Sequence, residues 1–506
     1  MSRMSQKRRA ETPEAPAKRA KSTVVRSNQR AVAHFADNKA LTTRLDVYVF
    51  GEGSSGELGL GPKNAVDVKR PRLNTNLDAK KVGVVDIATG GMHVVALTYD
   101  GKVLTWGVND NFALGRKTSW EGGMKGIDPT EDDSASDTSD VELNPFESTP
   151  TAIPGDNFLP DTTIVRVTAG DSATFALTQQ GLVYGWGTFV NNEGKSGFLL
   201  TQTNDIIKKQ TKPTLIPGLK RIVQISAGNN FCLALDADGK VYSWGMSEQN
   251  QLGRRLIVDR RQSALDREVK LDILYNRAGL FPGLVALPKR KKIVSIHAGS
   301  DHAFAIDSNT DTWAWGLNNF GQTGISTGAG TGGATIVTPQ KVQALMHKKM
   351  KMIQGGSHHS IGITNAGECL VWGRVDGGQM GLDISALLMN NPAGVILERG
   401  KPRILILPTA LPISGSTFAT AGSDHNILIT SQGEAYSWGF NTNYQCGQGS
   451  DVDEVCVATL INNSAVRDKN LTWAGAGGQY SLLAGPHQQS NKPFTQYFQG
   501  SKSSLA

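Results

Sequence analysis

The stretch GSDHNILITSQGEAYSWG, residues 422–439, carries two landmarks at its ends. It opens on Gly422, with His425 three positions on and an apolar run behind it, and closes on the aromatic–glycine pair Trp438-Gly439. Between two short apolar runs sits Gln432-Gly433, where glycine permits the positive φ of a tight hairpin. The stretch therefore reads as strand, turn, strand. The separation from Gly422 to Gly439 acts as a clock, and it recurs unchanged from Gly90 to Gly107, Gly170 to Gly187, Gly228 to Gly245, Gly299 to Gly316 and Gly356 to Gly373. A further aromatic–glycine strand, VYVFG ending at Gly51, has no partner before it, and GGQYSLLA (477–484) has none after it.

Small all-β units whose aromatic–glycine pairs recur along the chain, at Gly51, Gly107, Gly187, Gly245, Gly316, Gly373 and Gly439, read as blades of a propeller, each burying its faces against its neighbours. Pairing the two orphan strands across the termini completes a seventh blade and removes the free sheet edges. The expected fold is all-β, a seven-bladed β-propeller over residues 45–485 closed by its N- and C-terminal strands. The 57 glycines, spread along the chain, suit this turn-rich reading. No apolar run approaches the length of a membrane span, roughly 18 residues or more. Cys232, Cys369, Cys446 and Cys456 are scattered, without CxxC or zinc-like His spacing, so a reducing compartment, no metal and no cofactor are expected.

Net charge is confined to one end. Residues 1–30 hold nine Lys or Arg against Glu11 and Glu14, which is the whole of the +7 net charge. The rest of the chain carries 43 basic and 43 acidic side chains (52 less nine, 45 less two). Within the tail, Lys7-Arg8-Arg9 and Lys18-Arg19-Ala20-Lys21 flank a Pro-containing spacer, the pattern of a bipartite nuclear import signal read by importin alpha and beta, or of a nucleic-acid patch. Residues 1–44 are expected to be a disordered basic tail. Seven charges on DNA phosphates would give a log–log salt slope of about −6, contact without base readout. Residues 121–148 form an acidic Ser/Thr-rich insert expected to be disordered, and 486–506 a flexible C-terminal tail.

Several motifs tempt toward nucleotide binding and do not hold. Gly51-Glu-Gly-Ser-Ser-Gly56 fits GxGxxG, but the fingerprint must open a helix, and here ELGLGP follows. Gly328–Gly333 is followed by ATIVTP, which reads as a loop. Gly194-Lys195-Ser196 lacks the upstream glycine of a phosphate-binding loop, since residue 189 is Phe. His93, His302, His359 and His425 share one position in the repeat, and Trp106, Trp186, Trp244, Trp315, Trp372 and Trp438 share another, so both sets read as blade interior rather than as a site.

A second clock places a glycine eight positions after an aromatic–glycine pair, at Gly59, Gly115, Gly253, Gly324, Gly381 and Gly447. Together the two clocks resemble the repeat of the regulator of chromosome condensation family, whose founding member is the guanine nucleotide exchange factor of the small GTPase Ran. The resemblance covers the whole of the expected propeller, residues 45–485. It implies an exchange factor with no covalent chemistry, a nucleotide-free Ran intermediate as partner, and a nuclear, chromatin-bound location. The second clock breaks once: from Gly187 the next such glycine is Gly197, ten positions on. Two extra residues should make this loop protrude. A neutral insertion would do the same, but in the family this place forms a wedge beside the GTPase's nucleotide, which falls here on Asn191, Asn192, Glu193 and Gly194.

The positions just after each signature glycine vary while the scaffold repeats, which is where sites are grafted. The resemblance assigns exchange-critical roles to Asp171, Asn230 and His358, with Asn230 replacing a more usual Asp, and GTPase contacts to Arg254, Asn319 and Asp453. It places a contact to the acidic patch of the nucleosome's histone dimer on Arg260 or Arg261. The alternative is a chromatin- or GTPase-binding propeller scaffold without exchange activity. The long loop and the polar face residues distinguish the two, because a plain scaffold needs neither.

Overall fold

The first clock is a β-hairpin. In a computed structural model, His425–Thr430 pairs antiparallel with Ala435–Phe440, His425 lying opposite Gly439. Ser416–Ala421 flanks the pair on the inside and Glu454–Leu460 on the outside. The structure describes residues 38–121, 142–257, 271–390, 392–449 and 451–488. Six such antiparallel sheets follow one another, and a seventh is shared by the termini. In it Leu45–Gly51 pairs with Tyr480–Pro486 without a slip, Leu45 opposite Pro486 and Gly51 opposite Tyr480. We number the blades from this closing one, so the sheet of Ile164–Ala169, Ala173–Thr178, Val183–Gly187 and Gln210–Leu215 is the third. The sixth carries a fifth strand, Val395–Glu398.

The two repeated positions explain one another across blade boundaries. Each signature-position Trp is fully buried, and most donate from Nε1 to a turn carbonyl of the preceding blade: Trp106 to Glu57, Trp186 to Ala113, Trp315 to Gln251, Trp372 to Gln322 and Trp438 to Gln379. Two positions beyond each carbonyl lies the glycine of the second clock. At Gly115 φ is +64°, and a Cβ there would sit 2.7 Å from the Trp186 ring, so both conformation and space require glycine.

The recurring histidines form the other half of this clasp. His93 Nε2 reaches Thr174 Oγ1 of the next blade at 2.8 Å, His302 reaches Ser360, His359 reaches Asn426 and His425 reaches Ser481. Thr174 and Ser360 spend their hydroxyl hydrogens on the carbonyls of Ala113 and Gln322, so their oxygens must accept from His Nε2–H, which fixes the tautomer. Burial lowers the pKa of His93, His359 and His425 to about 4 and that of His302 to about 3, leaving all four neutral. Where a blade lacks the His, the next blade lacks the polar partner. The corresponding pairs are Ala173 with Cys232, Phe231 with Ala303 and Tyr480 with Val94, each within one apolar cluster.

Packed structure reaches slightly beyond residues 45–485 at both ends. Residues 38–44 of the expected tail lie on the propeller, with Asn38 Nδ2 donating to the carbonyls of Thr178 and Ile222 and the Arg44 guanidinium 3.7 Å from the Tyr99 ring centre. At the other end His487 reaches Asp46 at 2.8 Å. The acidic insert also ends sooner than residue 148. Pro145–Ser148 forms a helical turn capped by the Asn144 side chain, with Ser148 buried, because a Pro at the first helical position and an Asn cap suit that turn.

The clasp sets a measurable coupling. Ser360→Ala should strand the buried Nε2–H of His302 and lower stability by about 1–3 kcal/mol. Adding His302→Phe transplants the Phe231/Ala303 solution and should recover about 1 kcal/mol of that loss. Urea midpoints of the full chain read both changes, and simple additivity of the two substitutions would refute the clasp.

Candidate functional site

Antiparallel pairing brings the variable loops to one face. The residue that opens each second strand lies opposite the glycine that closes each third, as in Ala173 opposite Gly187 and Phe231 opposite Gly245. The signature loops and the loops after the aromatic–glycine pairs therefore open at the same end. There backbone bonds run from blade to blade: Gly91 N to Asp171 O, Asp171 N to Asn229 O, Asn229 N to Ser300 O, Ser300 N to Gly356 O. They surround the mouth of a central channel of about 750 Å³ whose walls include Thr89, Thr168, Ser226 and Thr420.

The longer spacing of the third blade is more than a two-residue insertion. Gly197 does not occupy the place of the second-clock glycines, because a Cβ on it would meet Leu280 and Ile206 rather than a Trp ring. The usual turn is replaced by two short hairpins, Phe189–Val190 with Ser196–Gly197 and Leu199–Leu200 with Ile206–Ile207. Phe189 and Phe198 are fully buried and stack at 5.6 Å, and Phe175 meets the Trp244 ring edge-on at 5.5 Å. Trp244 Nε1 consequently has no hydrogen-bond partner among the described residues.

The first hairpin projects a turn whose Asn192, Glu193, Gly194 and Lys195 are exposed. Asn191 closes this turn, its Oδ1 accepting from Glu193 N at 3.0 Å and Lys195 N at 2.7 Å. Its side chain faces the Glu248 carboxylate of the fourth blade, whose pKa burial raises and Asn191 partly lowers again. Glu193 and Lys195 pair at 2.6 Å. Gly194 has φ +74° and open space around it, so glycine serves the turn's conformation rather than its packing.

Asp171, Asn230 and His358 share this face in three different blades and different surroundings. The Asp171 carboxyl is raised in pKa by desolvation at the mouth, against the hydrogen bond it accepts from Ser172. Asn230 turns inward, its Oδ1 accepting from Val190 N at 2.7 Å at the foot of the hairpin. His358 packs edge-on against Phe320 at 4.8 Å, and the guanidiniums of Arg374 and Arg403 lie over the same ring. Desolvation, then the Arg374 charge, lower the His358 pKa, so it is neutral near pH 7. Asp376 bonds both arginines.

The expected contact residues fare unequally. Arg254 is committed within the fold: its Nη2 donates to the carbonyls of Ser243 and Phe281, with Ala278 and Gly279 at 3.4 Å, and desolvation lowers its pKa to about 10. A guanidinium with that many carbonyl acceptors braces its own blade, as buried Arg116 does through Thr105 in the second. Asn319 is half-buried and accepts from Gln322 Nε2, while Asp453 is exposed at the start of the outer strand of the seventh blade. Lys7, Arg8, Arg9, Lys18, Arg19, Lys21, Arg260 and Arg261 lie outside the described residues. Three carboxylates escaped selection from the sequence. Asp301 and Asp424 were visible in the variable pairs, and Glu248 had only its place between an aromatic–glycine pair and the next glycine.

These features define a closed propeller whose variable loops gather on one face, with one hairpin rising among them. The chain belongs to the RCC1-like domain family, whose model matches residues 46–483. It is 39% identical over 454 residues to Protein pim1 of Schizosaccharomyces pombe, covering 89% of this chain and 76% of that protein. It is 36% identical to the guanine nucleotide exchange factor SRM1 of Saccharomyces cerevisiae, covering 87% of each. The crystal structure of Prp20p from Saccharomyces cerevisiae, described with its binding properties to Gsp1p and histones, superposes with a TM-score of 0.75 at 34% identity, over 90% of this chain and 94% of that one.

The rim has a pH signature. Burial, then the charges of Glu248 and Asp171, raise the Asp301 pKa from 3.8 to about 6. A raised folded-state pKa means the stability belongs to the protonated form, present below about pH 4 and lost as pH rises through about 6. Asp301→Asn removes that loss. Its urea midpoint relative to the unsubstituted chain should rise between pH 4 and pH 7 by the equivalent of about 1–3 kcal/mol. A difference that stays flat with pH would contradict the crowded rim.

Proposed function

We propose that this chain is a guanine nucleotide exchange factor for the small GTPase Ran that works in the nucleus on chromatin. The observation that carries this reading is the projecting hairpin of residues 189–197, footed on an apolar cluster and rising beside acidic Asp171, Asp301 and Glu248. Family membership, the exchange-factor relative and the Gsp1p and histone binding of Prp20p support it.

Exchange needs no nucleophile or metal of its own. A partner that prefers the nucleotide-free GTPase must weaken nucleotide binding by the same factor by which nucleotide weakens the partner. Each tenfold of that coupling corresponds to about 1.4 kcal/mol. The hairpin supplies it by occupying space that the phosphate-binding segment needs. Glu193 is paired with Lys195 at 2.6 Å, but the two side chains are 64% and 58% exposed. Such a pair is worth about 0–1 kcal/mol, so Glu193 can exchange Lys195 for the GTPase's phosphate-binding lysine. Asn192 and Gly194 form the rest of the tip. The acidic rim complements a basic docking surface and speeds encounter.

In the same reading, the basic clusters Lys7-Arg8-Arg9 and Lys18-Arg19-Lys21 are read by importin alpha and beta. Arg260 or Arg261 meets the histone acidic patch, and the tail meets DNA phosphates.

Release of fluorescent GDP from Ran tests the reading. The full chain should accelerate it. Replacing Asn191–Lys195 by Asn-Gly, a two-residue turn that closes Val190 onto Ser196, should cost on the order of 100-fold, about 2.7 kcal/mol, at unchanged thermal stability. No acceleration by the intact chain refutes exchange. Equal acceleration by the shortened chain refutes the hairpin's part in it.

A further inference from the structure

Five of the six second-clock turns are fastened to the next blade by a Trp Nε1–H donated to a turn carbonyl, and the sixth, at Gly447, packs on Phe50. The hairpin of residues 189–197 stands where such a turn would be, and it has given the fastening up: Trp244 Nε1 has no partner among the described residues, and the histidine clasp at the same seam is the apolar pair Ala173 and Cys232. Apolar stacking beneath it fixes the hairpin's foot. Stacked rings alone are not directional, and they leave the tilt of the exposed turn to its polar bonds.

The fourth blade meets the hairpin with polar groups at two heights. At the foot, Asn230 Oδ1 accepts the Val190 N–H at 2.7 Å. At the tip, the Glu248 carboxylate faces the Asn191 side chain, which favours its charged form against burial, and Asn191 Oδ1 gathers the amides of Glu193 and Lys195. We propose that Glu248, Asn230 and Asn191 are positioning residues, a cross-blade brace that aims the hairpin at the bound partner. The brace rests on the exchange reading for its purpose but not for its existence. It gives Asn230 and Asn191 an inward duty where a direct contact was expected, and it brings in Glu248.

An acceptor oxygen is all the brace asks of positions 230 and 248. Asn230→Asp and Glu248→Gln keep one, while Asn230→Ala and Glu248→Ala do not. Amide hydrogen exchange on the free full-length protein reads the brace without any GTPase. In the two alanine variants the amides of residues 190–197 should exchange roughly 3- to 10-fold faster, the worth of about one hydrogen bond, with the other blades unchanged. In GDP release from Ran the same variants should lose about 10-fold in kcat, with KM for Ran within about 3-fold, the mark of lost orientation rather than lost docking. Glu248→Gln and Asn230→Asp should restore most of both.

Unchanged hydrogen exchange in the alanine variants overturns the brace. So does a Glu248→Gln variant as defective as Glu248→Ala, because the carboxylate would then act through its charge on the partner. Should the unsubstituted chain fail to release GDP at all, the exchange reading falls, and the hydrogen-exchange comparison still decides the brace.

Discussion

Everything in this ring depends on how buried turn carbonyls at the blade boundaries are satisfied. Ala113 O receives two donors from the next blade, Thr174 Oγ1 and Trp186 Nε1, and His93 Nε2 donates in turn to Thr174. Gln322 O and Gln379 O are served in the same way, by Ser360 with Trp372 and by Asn426 with Trp438. An unmet buried acceptor or donor costs about 1–3 kcal/mol, so each clasp holds its neighbours in one register. Hydrophobic packing alone would tolerate a slip. The closing blade extends the same logic through chain termini, since His425 reaches Ser481 and seals the ring where the chain begins and ends.

This constraint makes the boundary between the third and fourth blades informative. It has lost the Trp donor bond and carries an apolar pair at the His position, and Phe175, Phe189, Phe198 and Trp244 fill the space. A turn that must serve a neighbour's Trp cannot also grow outward, because its carbonyl and its glycine are committed to that ring. Releasing the commitment frees the segment to become a projecting hairpin. The variation that builds a site and the loss of the internal fastening are one structural event.

Spacing made the blades legible. The two clocks mark one strand pair and one inter-blade turn, and both are dictated by fixed geometry rather than by side-chain choice. The polar face was legible as variation on a constant scaffold. Spacing counts positions, however, and does not say what their atoms bond to. Gly197 looked like the same glycine displaced by two, yet it packs on Leu280 and Ile206 instead of a Trp. Nor does spacing show that the Arg254 guanidinium, expected at a GTPase contact, also donates to carbonyls from Ala278 to Phe281, far along the sequence. Glu248 could not be picked out, because the Asn191 side chain it faces belongs to another blade.

The amide at position 230 follows from the same electrostatics. Burial first, then the charges of Glu248 and Asp171, already raise the Asp301 pKa to about 6, and Glu193 adds to the field at Glu248. The bond to Val190 N–H needs an acceptor oxygen and nothing more. A carboxylate there would supply the oxygen together with a further charge in a crowded, partly desolvated rim, where ionisation is already costly. Asn230 keeps the hydrogen bond without that charge. The acidic potential stays with the carboxylates at the mouth, and the foot of the hairpin rests on a neutral group.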